Sequence, residues 1–190
     1  LEHQARALAK KLDVHSIGVI DHWVNYPDRF LRKGSQVLPD EIWVSDEDAR
    51  NIATVCFPDV KVRQKPNYYL EGLLTQVRAI DCAPHFDATR RMLYVLEPIR
   101  NAWADDGATA GEFQALDYFI KCVRQLGLDK TTEFHLRPHP SDPPGKYEAW
   151  LARHTDLNLS LDPNASLSHS IAWADTVVGC ESYALVVGLA

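Results

Sequence analysis

Short apolar runs alternating with helical stretches of ten or more residues predict an α/β protein on mainly parallel sheets. Seven runs have strand character, at 15–20, 41–45, 60–64, 91–96, 133–137, 157–161 and 176–179. The stretches between them carry apolar residues at helical spacing. One polar interval, "DCAPHFDATR" at 81–90, breaks the alternation and reads as a linker. The expectation is therefore two lobes, residues 1–80 and 91–190, joined at 81–90.

Each element has its own signal. "LEHQARALAKKL" opens as a helix with Leu8 and Leu12 on one face, leading into "HSIGVI" as a strand that ends at Asp21, His22 and Trp23. A polar loop holding Pro27, Gly34 and Pro39 precedes the strand "EIWVS". The next helix starts at Ser45 as N-cap, with Asp46, Glu47 and Asp48 favouring the positive end of its dipole. Ile52, Val55 and Cys56 supply its buried face, and Pro58 stops it. "VKVRQ" alternates as a strand, and "NYYLEGLLTQVRAI" follows as an amphipathic helix.

Beyond the linker, "RMLYVLEP" is a buried strand and "EFQALDYFIKCVRQLGL" the clearest helix. Phe113, Leu116, Phe119, Ile120, Val123 and Leu126 follow its period, and Gly127 ends it. "TTEFHLRPHP" gives a strand and a turn, and "PPGKYEAWLARH" a helix entered through proline. "LNLSLD", "NASLSHSIAWA", "DTVVGCE" and "SYALVVGLA" complete the alternation of strand and helix.

Composition narrows the class. A 46% hydrophobic and 24% charged chain of 190 residues is ordinary for a globular protein. A formal charge of −6 with no basic block gives no electrostatic footprint for nucleic acid. Cys56, Cys82, Cys122 and Cys180 are scattered without a CxxC pair, which fits reduced thiols in the cytoplasm. No signal peptide is evident, and no apolar run approaches the ~20 residues of a membrane span. The chain opens without Met and stops within the apolar run "ESYALVVGLA". It reads as an excerpt of a longer protein, with the first lobe short of its start and the second of its end.

Ligands on open parallel sheets bind outside the carboxyl ends of strands. That rule selects Asp21 and His22, Ser45 and Asp46, Glu97, Arg137 to Ser141, and Glu181 with Ser182. "FHLRPHPSDPPGKYEAW" is the most informative stretch. His135 and His139 have the spacing of a helical metal pair, but Pro138 and Pro140 forbid a helix there, so that metal reading fails. Pro140 biases His139 toward an extended backbone, at a strand end and just ahead of a helix N-terminus suited to anions. Arg137 would add a bidentate phosphate contact. A plain rigid turn is the competing reading.

"GCESYAL" repeats the arrangement, with Ser182 as an N-cap or a phosphate contact, and Glu181 suited to a ribose rather than to phosphate. It is not G-x-S-x-G, so a hydrolase nucleophile is not supported. "ADDGATAG" lacks both G-x-G-x-x-G and the Walker lysine and reads as a crossover loop. Asp21 is either a functional carboxylate at a strand end or a helix cap or loop hydrogen-bonding group.

"RPHP" at one strand end and "CESYAL" at a later helix start resemble two motifs of GT-B glycosyltransferases, whose two lobes are Rossmann-like. The narrower likeness is to bacterial sialyltransferases, polysialyltransferases and related capsule or lipopolysaccharide enzymes, over residues 90–190. His139 and Pro140 match the family's HP motif, and Ser182 its Ser motif. The resemblance implies that these residues hold the phosphate of a CMP- or UDP-linked sugar donor. It also implies transfer to a hydroxyl of a glycan or lipid-linked acceptor, in the cytoplasm or at the inner face of the membrane, with no separate cofactor. His139 would stabilise the departing phosphate, and a carboxylate would deprotonate the acceptor. The only literal match to the family's acidic motif is Asp105-Asp106-Gly107, which falls after the linker, so Asp21 is the better-placed base. Two rivals share the scaffold: a nucleotide-sugar 2-epimerase or hydrolase, and a non-catalytic binding or assembly module.

Overall fold

The computed structural model of the protein describes residues 1–81, 89–99 and 109–190. Most of the expected linker, together with Cys82 and Asp105-Asp106-Gly107, lies outside the described residues. The fold is mixed α/β with parallel sheets. The chain divides into two compact units, Leu1–Tyr69 and Leu70–Ala190.

In the first unit, helix α1 (Glu2–Lys11) leads to strand β1 (Ile17–Ile20), and the polar loop contains a 3-10 turn at Pro27–Phe30. A two-residue hairpin follows, β2 (Leu31–Arg32) and β3 (Ser35–Gln36), then β4 (Glu41–Val44), helix α2 (Glu47–Cys56) and β5 (Lys61–Gln64). The main sheet is parallel in the order β1-β4-β5. Its core is Ile20, Tyr26, Phe30, Ile42, Val44, Ala49, Ala53 and Phe57.

Two local expectations are corrected here. The N-cap of α2 is Asp46, not Ser45: the Asp46 carboxylate accepts the Ala49 N–H at 2.8 Å, and the Ser45 hydroxyl donates to that same carboxylate. The buried stripe of α2 is Ala49, Ile52, Ala53 and Cys56, while Val55 is 81% exposed. That stripe keeps the helical period, and its two alanines are its most deeply buried residues. Helix α1 has no buried residue, and Leu8 and Leu12 are exposed.

Helix α3 (Tyr68–Ala79) begins at the unit boundary, and its face of Leu70, Leu73, Leu74 and Val77 packs into the second unit. The division falls in the first turn of this helix, so its body from Leu70 on lies with the second unit, whereas the sequence groups it with residues 1–80. The second unit continues with β6 (Arg90–Val95), α4 (Gly111–Gln125), β7 (Thr132–Arg137), α5 (Glu148–Leu151), β8 (Asn158–Leu161), α6 (Leu167–Trp173), β9 (Thr176–Val178) and α7 (Tyr183–Leu189). All four strands are parallel, in the order β8-β7-β6-β9.

The strand period of two distributes β6 between two cores. Tyr94 and Leu96 join Leu116, Phe119, Ile120, Val123, Phe134, Leu136 and Trp150 on the α4 and α5 side. Leu93 and Val95 join Ile171, Ala184 and Val187 on the other side, where α3, α6 and α7 pack. Each fully buried Leu, Ile or Phe contributes about 1.5–3 kcal/mol, so α4 alone fixes one face of this sheet firmly. Leu126, expected on that face, is 74% exposed because the chain turns away at the helix end.

Candidate functional site

The parity of β7 decides what happens to its polar residues. Phe134 and Leu136 point into the α4 core, so Glu133, His135 and Arg137 occupy the opposite face, under α6. There His135 is buried, its ring stacked on Trp173 with centroids 3.7 Å apart and its Nε2 3.0 Å from Glu133. A guanidinium nitrogen of Arg137 donates to Asp162 at 2.6 Å, to the Asn164 carbonyl at 3.0 Å and to the Ser170 hydroxyl at 2.9 Å. The Asp162 side chain is fully buried and also accepts from Ser170 and from the backbone N–H and side-chain amide of Asn164. Burial pushes its carboxyl up, but the bonds from Ser170, Arg137 and Asn164 outweigh burial and hold it below the usual carboxylate range. Arg137 thus ties β7, β8 and α6 together. A phosphate contact through the same nitrogen would have to displace Asp162.

His139 lies beyond the end of β7, exposed, in a turn built by its own neighbours. Its ring Nδ1 is 3.2 Å from the Ser141 backbone nitrogen and 2.8 Å from the Ser141 hydroxyl. A backbone N–H only donates, so Nδ1 is an acceptor and the proton of the neutral ring sits on Nε2. Asp142 closes the turn from the other direction, accepting the His139 backbone N–H at 3.1 Å and returning its own N–H to the His139 carbonyl at 2.8 Å. Pro140 sits exposed between them, stiffening the link.

The helix N-terminus expected beside His139 is not there. Residues 143–146 form a turn in which Lys146 N–H meets the Pro143 carbonyl, and Gly145 takes the positive φ of 80° that its third position requires. Only the single turn α5 follows, starting at Glu148 with no side-chain cap. The proline pair spends those residues on a reversal, which leaves too little chain for a helix.

Across β6, the end of β9 offers Gly179, Cys180, Glu181 and Ser182. Gly179 is packed so closely on β6 that a Cβ would stand 2.7 Å from the Val95 side chain. Ser182 is the N-cap of α7, its hydroxyl 3.3 Å from the Ala184 N–H. Glu181 is exposed, and its backbone N–H is held by the Glu97 carboxylate at 2.6 Å. Glu97 follows β6, so three neighbouring strands place Glu97, His139 and Ser182 at one edge of the sheet. The chain runs from β6 outward to β8 and returns to pair β9 on the other side of β6. The carboxyl ends of β6 and β9 are therefore the topological switch point where open sheets take ligands.

In the first unit Asp21 follows β1 with its side chain 80% exposed, 3.9 Å from Arg29. Asp46, at the end of the adjacent β4, is occupied by its cap and by the Trp23 indole, which donates to both carboxylate oxygens at 3.0 Å. Beneath them the Tyr26 hydroxyl is buried, and burial pushes its pKa up to about 12. Of the two strand-end acids, Asp21 is the one exposed to solvent. Among the described residues no cluster of metal-ligating side chains occurs, and no helix is long and apolar enough to cross a membrane.

The strand-end rule that selects Arg137 and His139 does not select Asp142, Lys146 and Glu112, nor Asp162 and Ser170. The available signals were a Lys four residues after an Asp inside a proline turn, and one Glu beside the apolar stripe of α4. Comparison of the chain with protein-family models, with curated proteins and with solved structures finds no match.

Proposed function

We propose that the chain is a nucleotide-sugar-dependent glycosyltransferase of the GT-B kind, with the donor phosphate held in the second unit by His139. The observation that carries this reading is the His139 ring. It is exposed at a strand carboxyl end, with Nδ1 bonded within its own turn and the Nε2–H on the far side of the ring. A donor fixed in that way suits a phosphate oxygen on which charge grows as the glycosidic bond breaks. Ser182, at the same sheet edge, would supply a hydroxyl, and the exposed carboxylate of Glu181 would accept from a ribose. Asp21, exposed and uncapped, is the proposed base for the acceptor hydroxyl, and it would act through proton removal rather than donor binding. Arg137 has a structural role in this reading.

Calorimetry with CMP and with UDP tests the donor site. His139→Ala should weaken binding of the preferred nucleotide by about 1–3 kcal/mol, the scale of a charge-assisted hydrogen bond. Unchanged affinity would return His139 to a rigid turn. Product analysis with and without an acceptor sugar separates transfer from epimerisation or hydrolysis.

A further inference from the structure

We propose that Asp142, Lys146 and Glu112 are positioning residues for His139, anchoring its turn to the core so that the ring stays a fixed hydrogen-bond donor. The proposal rests on reading His139 as the phosphate contact.

The turn that carries His139 is exposed, yet what holds it is buried. The Asp142 side chain is 2% exposed. One of its oxygens accepts the His139 N–H at 3.1 Å and the Tyr147 hydroxyl at 2.8 Å, and the other accepts Lys146 Nζ at 2.6 Å. The same ammonium reaches Glu112 at 2.6 Å, and Glu112 is 3% exposed in the first turn of α4. From α4 the chain of contacts passes into Leu116, Phe119 and Ile120, the firmest part of the core. His139 is thereby tied to a core helix by the Lys146 cation, and beside it by Tyr147, whose ring packs on Phe113 of α4 with centroids 5.5 Å apart.

This arrangement is costly for a mere reversal. Two carboxylates and an ammonium are withdrawn from water, and the second oxygen of Glu112 is buried with no hydrogen-bond partner. Removing such groups from water is strongly unfavourable until their mutual attraction offsets it. Prolines 138, 140, 143 and 144 already stiffen the segment without any charge. What the ions add is position, since a functional group is held accurately only when its supports are themselves locked. Asp142 and Lys146 favour their charged forms: burial raises the Asp142 carboxyl, but the bonds from Lys146 and Tyr147 outweigh it, and the shift is downward. For Lys146 the opposing burial is overcome by Asp142 and Glu112, and its pKa is raised.

The test has two arms. In the first, nitrogen-15 NMR reads the His139 ring at alkaline pH, its signals assigned by their loss in His139→Ala. The wild type should show Nδ1 as the unprotonated nitrogen of one tautomer. Asp142→Asn should move the ring toward the tautomer mixture of a free imidazole, and Glu112→Gln should do so to a smaller degree. Ring signals unchanged in both variants overturn the proposal. In the second arm CMP and UDP are titrated into the single and double variants. Asp142→Asn should weaken binding roughly five- to tenfold when His139 is present and less than about twofold in the His139→Ala background. Equal losses in the two backgrounds overturn positioning. If His139→Ala itself leaves both nucleotides unaffected, the donor-site reading falls, and the ring signals alone decide whether the network positions His139. Thermal melting monitors the fold, and Glu112→Gln, which leaves Asp142 its own bonds, carries both arms if Asp142→Asn unfolds.

Discussion

Asp162, at the end of β8, and Asp142, in the turn after β7, are both buried carboxylates bound to one basic side chain, at 2.6 Å in each case. They treat the two basic residues of the RPHP stretch in opposite ways. Asp162 draws Arg137 inward, under α6, and binds it together with Ser170 and Asn164. Asp142 takes Lys146 as its cation and uses its other oxygen on the Tyr147 hydroxyl and the backbone of His139, leaving that ring outside. Two residues apart in sequence, Arg137 becomes a tie between elements and His139 remains available to a ligand. A motif residue of the right type is free to bind only if the fold has not already used it.

The largest way to break this contrast is Asp162→Ala. It strands Arg137 and Ser170 on a buried face, and the expected loss is about 3–5 kcal/mol in denaturant unfolding, the cost of breaking a buried pair. A loss below about 1 kcal/mol would show that α6 tolerates a water in place of the carboxylate and that Arg137 is not a structural tie.

Acid dependence sharpens the same point. Asp162 and Asp142 both have carboxyls lowered in the folded protein. Their contribution is therefore fully present above the unfolded carboxyl range, near pH ~4, and is lost as pH falls through their folded values, because the unfolded chain binds those protons first. The stability difference between wild type and Asp162→Asn should shrink as the pH is lowered below that range. A difference that stays constant would mean that Asp162 is not held ionised.

Arg137→Lys should cost about 1–2 kcal/mol of stability, since an ammonium cannot keep the guanidinium's reach to Asp162, Asn164 and Ser170 together. CMP and UDP affinity should be unchanged in this variant. An affinity loss without a stability loss would reverse the assignment and make Arg137 a ligand contact. The smallest effect belongs to His139→Ala, which should change stability by no more than about 0.5 kcal/mol, as surface substitutions do. A larger loss would mean that the ring is structural, and the contrast with Arg137 would fail.

Much of the fold was legible in the sequence because its signals are local. All seven parallel strands fall within a residue or two of where alternation placed them, and Gly127 and Pro58 end helices as their backbone restrictions require. The missed hairpin at Leu31–Gln36 has only two residues per strand, too few for any periodicity. Its turn puts Lys33 at φ 50° and Gly34 at φ 76°, a geometry usually announced by asparagine or aspartate before glycine. Ser45 and Asp46 are both good capping types, and only the backbone direction at the end of β4 selects Asp46.

The candidate site was legible in its parts but not in its connections. By itself the sequence determined the strand ends, the proline-fixed turn around His139, the cap at Ser182 and the alternation that puts Glu133, His135 and Arg137 on one side of β7. Only the tertiary structure decided that α6 covers that side, that Asp162 is there to hold Arg137, and that Glu112 on α4 reaches Lys146 behind His139. It also decided that α3 packs with the second unit rather than the first. The physical reason is the range of each interaction. Period, caps and turns act over a few residues, whereas the partner of a buried charge is chosen by packing between elements about thirty residues apart, as with Glu112 and Lys146.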